Sequence, residues 1–382
     1  MYKLLNASAA SVFAPVVSLA FAAPQYADCK DFLAQRTVST ECVPLADEAQ
    51  ILLSVDGRLA ESGYRFNSIG FDAVSRTLCS GLTALFNDLS GENYHGAVNE
   101  NRPISLPAAV GIYNAAVRVR FDSLRERNLL VNHQECAVDG FLGLAHRFLD
   151  NSAFLNLVAS TLATAAPTAE FSRAEIVGRE LRLFFIDPTS RTEMLHADDS
   201  HAFAAGWYFS NREDAGNAIR AARCIFTKFG PAVASSSTKT KVVHAGSDLL
   251  GRTAVLISNV ASTPIDMTAV AQCVKNLLQT PLGFTAVKSE FEVVQQKWVN
   301  YLGRFGIRAD LARTISKNAA IVGADLHPRD PFEAYTRSGL SSRTGYDLLC
   351  SILRQSRQEY ATYRDLLQSV AMRWLTVNKR LV

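Results

Sequence analysis

Along this 382-residue chain, apolar positions recur with two different periods, and the change between them sorts the chain into regions. Ile51 to Val55 followed by Asp56-Gly57 reads as a strand entering a tight turn. From Ser68 to Leu89 the residues Ile69, Val74, Leu78, Leu82, Leu85, Phe86 and Leu89 are spaced for one helix, ended by Ser90-Gly91. Leu106 to Val117 predicts a second helix. Leu129-Leu130-Val131 and Cys136-Ala137-Val138, separated by polar residues, predict a hairpin. An apolar helix carrying Phe154, Leu155, Leu157, Val158 and Leu162 follows, with Asn151 or Ser152 as its cap.

The middle of the chain has period two. Leu181 to Ile186, stopped by Asp187-Pro188, is a strand, and so are Phe203 to Phe209 and Ile219 to Phe229. In the last of these, Arg220, Ala222, Cys224 and Phe226 share one side, and Ile219, Ala221, Arg223 and Ile225 the other. Val233 to Val243, alternating Ser, Thr and Lys, reads as an exposed ribbon. Beyond Pro264 the period is helical almost to the end. The faces are Met267, Val270, Val274, Leu277 and Leu278, then Phe291, Val294, Trp298, Tyr301, Leu302 and Phe305, and lastly Tyr363, Leu366, Leu367, Val370 and Trp374. Asp325 to Gly345 reads as a long loop. Successive strands without intervening helices favour antiparallel pairing. The expected fold is therefore α+β, a central antiparallel sheet flanked by helices with a mostly helical C-terminal region. Its expected division is an N-terminal extension over 1–50, an α+β domain over 51–262 and a helical region over 263–382.

Composition adds little to this, since 48% hydrophobic and 20% charged residues are ordinary for a folded protein. At the N-terminus, Lys3, an apolar run and Ala20-Phe21-Ala22 outline a secretory signal, but Asn6, Ser8, Ser11, Pro15 and Ser18 interrupt the run. The same breaks leave less than the ~18 consecutive apolar residues of a membrane span, so a cytoplasmic protein with no membrane partner is expected. The seven cysteines lie far apart with no CxxC pair, which predicts single buried thiols in a reducing compartment.

Catalytic motifs are missing on identifiable residues. No GxxxxGK phosphate loop and no GxGxxG occurs, and Gly246 to Arg252 reads as a turn. HExxH and GxSxG are absent too, and Cys136 with His133 has no third orienting group in sequence. His196-Ala197-Asp198-Asp199-Ser200-His201 holds ligand types suited to a divalent ion, yet it sits between two predicted strands, where a solvated polar loop is the simpler reading. No catalytic residue, metal ligand or cofactor is assigned.

Charge is more informative. The chain is near neutral, 39 basic against 36 acidic side chains, but residues 217–252 carry six basic groups against Asp248 alone, and residues 354–382 carry six against two. Lysines at Thr238-Lys239-Thr240-Lys241, with strand arginines beside Trp207, Tyr208 and Phe226, suit a phosphate backbone and stacked bases. Equally, such lysines protect an edge strand from aggregation.

Several passages resemble a phage- and plasmid-associated family known only as domain of unknown function 932. They are Phe66-Asn67-Ser68-Ile69-Gly70-Phe71 to Leu82, Asp139 to Leu149 with Asp150-Asn151, Gly206-Trp207-Tyr208-Phe209-Ser210-Asn211-Arg212-Glu213 with Gly216 and Arg223-Cys224, His244-Ala245-Gly246, and the closing helix Leu366 to Leu375. One extra residue before Gly216, and Cys224-Ile225-Phe226-Thr227 where that family has Cys-x-Asn-Gly, are departures. The resemblance implies a mobile-element protein engaged in DNA transactions. Taken together, the expectation is non-specific single-stranded DNA binding or annealing by a homo-oligomer, through Arg220, Arg223, Lys239, Lys241 and Arg252. A structural assembly protein and a metal-dependent enzyme using His196 and His201 are the alternatives.

Overall fold

The computed structural model describes residues 21–23, 25–37, 40–79, 81–90, 105–143, 145–177, 179–196, 199–213, 218–227, 230–234, 241–321, 332, 343–357, 359 and 361–376. The fold is α+β, with a larger antiparallel sheet, a smaller sheet that is antiparallel except for one parallel pair of strands, and a helical C-terminal region. The larger sheet contains β1 (Phe21–Ala23), β6 (Glu170–Val177), β7 (Glu180–Ile186), β9 (Asp199–Arg212), β10 (Ile219–Thr227) and β11 (Gly230–Val233), in that order. Two short strands extend it: β8 (Thr192–His196) pairs with the start of β9, and β12 (Lys241–Val242) pairs with the start of β10. The smaller sheet is ordered β2 (Thr40–Pro44), β4 (Arg127–Asn132), β5 (Ala137–Gly143), β3 (Arg65–Phe66).

Each sheet buries one apolar face under helices. On the larger sheet Ala174, Ile176, Leu181, Leu183, Phe185, Phe209, Ile219 and Ala221 pack against α1 (Tyr26–Thr37), α5 (Asn151–Ala165) and α6 (Leu249–Ala261). On the smaller one Leu129, Val131, Val138 and Phe141 join α2 (Ser68–Leu78), α3 (Leu82–Ser90) and α4 (Leu106–Arg120) around Phe71, Phe86 and Tyr113. Among the described residues the C-terminal region holds the helices α7 (Met267–Leu278), α8 (Lys288–Gly303), α9 (Ala309–Ala320), α10 (Gly345–Ser356) and α11 (Ala361–Thr376). Their core takes in Phe203, Ile225 and Ala232 of the larger sheet, so the bundle is fused to β9–β11 by shared apolar burial.

Local chemistry explains where the structure departs from the sequence pattern. Residues 51–55 are not a strand. Leu53 makes a single bridge to Leu59, and its N–H and C=O are held by the Asn114 side chain at 2.8 and 2.7 Å. The helix expected over 68–89 is two, α2 ending at Cys79, whose extended backbone cannot continue it. Asp150, one residue before the expected caps, caps α5 by accepting from Ala153 N–H at 2.8 Å. Gly246 to Arg252 is not only a turn: Asp248, left-handed at φ 53, accepts from Gly251 N–H and starts α6. β6 escaped the alternation because its register shifts between Phe171 and Arg173. The expected ribbon over 233–243 is represented by β11 and β12, both laid on the outer edge of β10; 235–240, and nearly all of the expected loop 325–345, fall outside the described residues.

The thiols are sorted by this packing. Cys29, Cys224, Cys273 and Cys350 are buried, whereas Cys79 and Cys136 are exposed, contrary to the expectation of uniformly buried thiols. Burial pushes Cys29 up to about 12 and raises Cys224 and Cys273 as well. Titration of the native protein with a thiol reagent at neutral pH is expected to label Cys79 and Cys136 promptly. Cys29, Cys224, Cys273 and Cys350 are expected to react only after denaturation.

Candidate nucleic-acid interface

Two arrangements of polar side chains stand out, one closed and one open. The closed one joins the sheets. Arg179, between β6 and β7, donates from Nε to Asp139 of β5 at 2.6 Å and again from Nη2, and from Nη1 to Glu213 at 3.3 Å and to Thr40 Oγ1 of β2 at 2.8 Å. Asp139 also accepts from Asn67, the α2 cap, at 2.8 Å. Glu213 accepts from the Asn151 N–H at the start of α5 at 2.7 Å, and Asn211 donates to Asn151 Oδ1 at 2.8 Å. The side chains of Arg179, Asp139, Glu213, Asn67, Asn151 and Asn211 are buried, and Thr40 is half-buried. Burial works against the Arg179 charge, but the Asp139 and Glu213 carboxylates outweigh it and raise its pKa. The N-termini of α2 and α5 supply positive dipole ends to the surplus carboxylate charge. Asn67, Asp139, Asn151, Asn211 and Glu213 come from separate passages of the sequence on which the family resemblance rests. With every charge answered from within, this cluster locks the two sheets together.

On the face of the larger sheet that meets α11, register builds a polar row across the strands. Glu175 of β6 faces Arg182 of β7, Arg182 faces Ser210 of β9, Ser210 faces Arg220 of β10, and Arg220 faces Lys241 of β12. Arg220 is not available to a ligand: it donates to Asp365 of α11, which also lies 3.7 Å from Arg182. Burial opposes the charges of Arg182 and Arg220, yet the Glu180 and Asp365 carboxylates hold both guanidinium pKa values above normal. Tyr208 is pushed up to about 12 by burial, so its phenol stays neutral.

The open arrangement is a cleft of about 650 Å³ between β10–β11, the end of α8 and α11. Arg223, Arg304 and Arg373 line it, with Phe305, Leu366, Ser369, Val370, Met372, Thr376 and Ala234, and no carboxylate is among these residues. Leu366, Ser369, Val370, Arg373 and Thr376 follow helical spacing on one face of α11. Arg304 caps the C-terminus of α8, where the helix dipole favours a cation. Arg223 is steadied by a 2.9 Å donation to the Pro264 carbonyl. Arg304 and Arg373 are exposed, and each lies about 6 Å from an aromatic ring, Tyr301 for the first (6.0 Å) and Phe305 for the second (5.9 Å).

Of the five residues expected to bind nucleic acid, only Arg223 lines this cleft. Arg252 is engaged by the Ala245 carbonyl and Arg220 by Asp365. Lys241 is exposed on β12, and Lys239 is outside the described residues. Arg304 was missed although it stands in a basic stretch, Lys297, Arg304, Arg308, Arg313 and Lys317 against Asp310, which was not singled out; Arg373 belonged to the basic C-terminal stretch. The stretch 196–201 is mainly a hairpin rather than a loop, with His196 opposite Asp199 and Met194 opposite His201. Its side chains are outside the described set, and no metal-holding group of His, Cys, Asp or Glu occurs among the described residues. His133 does have an orienting carboxylate, Glu41 at 3.0 Å, and a Tyr64 hydroxyl at 3.2 Å, while Cys136 Sγ points to the His133 carbonyl rather than its ring. Among the described residues no helix is long and apolar enough to cross a membrane. Comparison with protein-family models, curated proteins and solved structures finds no match to this chain.

Replacing Arg179 with Met removes the cation from between two buried carboxylates, and such a break costs about 3–5 kcal/mol. Urea denaturation is expected to show that loss, while Arg304→Ala, at an exposed position, is expected to stay within about 0.5 kcal/mol of wild type.

Proposed function

We propose that the cleft holds the phosphate backbone of single-stranded nucleic acid without sequence preference. The observation that carries this reading is the convergence of three guanidiniums from β10, α8 and α11 on one hollow whose described lining has no acidic residue. Phosphates are neutralised by such a set, and guanidinium forks suit their oxygens. Phe305 in the same lining offers an aromatic edge against which a base packs, a contact every base can make. Annealing of two strands needs no more than this, since neutralised backbones leave base edges free. Arg223 and Arg373 each come from one of the two basic stretches of the sequence.

The test is the salt dependence of binding to a fluorescent oligonucleotide. Single strands release about 0.7 counterion per neutralised phosphate, so three contacts give a slope of log affinity on log salt of about −2. Arg304→Ala with Arg373→Ala is expected to bring the slope to about −0.7 and weaken binding for every sequence alike. Binding that ignores salt, or a double variant that binds as wild type, would overturn the reading.

A further inference from the structure

A second group of arginines lies apart from the cleft, near the opposite end of β11, and it is not charge-balanced. Glu175 of β6 is shared by two of them: Arg173 approaches Oε1 at 3.1 Å and Arg364 of α11 donates to Oε2 at 2.7 Å. Both carboxylate oxygens are thereby used. The Nε–H groups of Arg173 and Arg364 are nonetheless buried and make no hydrogen bond. Arg173 cannot swing away freely, because its guanidinium lies 4.7 Å from the centre of the Phe184 ring.

A third guanidinium completes the group. Arg357, at the C-terminus of α10, has its Nε over the first residue of β11, where Gly230 at φ 138 carries no side chain; a Cβ there would come within 3.3 Å of it. Its side chain makes no hydrogen bond or ion pair among the described residues, and Arg173 and Arg354 both repel it, with Glu175 attracting. Partial burial and these like charges lower its pKa. Two guanidiniums share the Glu175 carboxylate and a third lies near enough to interact electrostatically with Arg173 and Glu175, which leaves two positive charges and unused N–H donors in this region.

We propose that Arg173, Arg357 and Arg364 form a binding site for a phosphate-type dianion. Three guanidiniums match a tetrahedral oxyanion that carries two negative charges and several acceptor oxygens, whereas a chloride has neither the geometry nor the second charge. Arg357, the exposed member, gates access; Arg173 and Arg364 form the floor, fixed by Glu175 and Phe184. The site does not depend on the cleft reading, since Arg223, Arg304 and Arg373 take no part in it.

The experiment titrates the full chain with inorganic phosphate at fixed ionic strength, following the phosphorus resonance and the melting temperature, with chloride as control. Wild type is expected to bind phosphate and to melt higher in it than in chloride. Arg357→Gln is expected to weaken binding about tenfold, the worth of a lost charge-assisted contact. Arg357→Lys, which keeps the charge and loses the fork, should fall between, and Arg373→Ala should match wild type. No phosphate-specific effect in wild type, or equal binding by Arg357→Gln, would overturn the site. A short oligonucleotide carrying one 5′ phosphate, compared with its unphosphorylated form, tells an ester end group from free phosphate. Preference for the phosphorylated form that Arg357→Gln abolishes assigns the site to the end group, and equal binding of the two assigns it to free phosphate.

Discussion

The ion cluster centred on Arg179 is the constraint on which the arrangement of the two sheets depends. Apolar faces can slide or repack at modest cost, because dispersion and the hydrophobic effect have little direction. A guanidinium with carboxylates on both sides cannot. Arg179 reaches β5 through Asp139 and β2 through Thr40, while Glu213 ties the end of β9 to the first turn of α5. Two helix starts, two sheets and the end of β9 are therefore fixed by one buried charge. The net energy of such a cluster is small beside its cost when broken, so it acts on uniqueness of arrangement more than on total stability.

The other arginines divide according to whether a carboxylate was built beside them. Arg182 and Arg220 are answered by Glu180 and Asp365, which seats the start of α11 on the polar row of the sheet. Further along the same helix, Arg373 faces a hollow shared with Arg223 and Arg304, whose described lining holds no carboxylate. A single helix thus presents a structural end and a free end. Its apolar residues Leu367, Val370, Ala371 and Leu375 hold both ends in place through the C-terminal core. Charges fixed in position by packing lose little freedom when a phosphate arrives, which is the condition for useful recognition.

The strands 181–186, 203–209 and 219–227 were legible because each alternates against a buried face, and the C-terminal helices because their apolar stripes are wide. α6 was hidden by its own start: Gly246 to Gly251 spells a turn, and only the left-handed Asp248 turns it into a cap. β6 was hidden by one bulged residue that breaks its period. For the candidate interface, charge counting found the basic stretches but could not tell spent cations from free ones. Arg220 looked available until Asp365, 145 positions away, was brought against it. Arg304 gains meaning only where the end of α8 meets α11. Asn67, Asp139, Asn151, Asn211 and Glu213, from three distant passages, converge on the Arg179 cluster, a meeting of side chains that no single motif foretold.

Whether the free arginines are a ligand surface is decided by amide hydrogen exchange with and without a short single-stranded oligonucleotide at low salt. Slowed exchange at the end of α8, over Tyr301 to Phe305, and along Leu366 to Thr376 of α11 is the expected result. Protection confined to other parts of the chain, or none at saturating oligonucleotide, would contradict it.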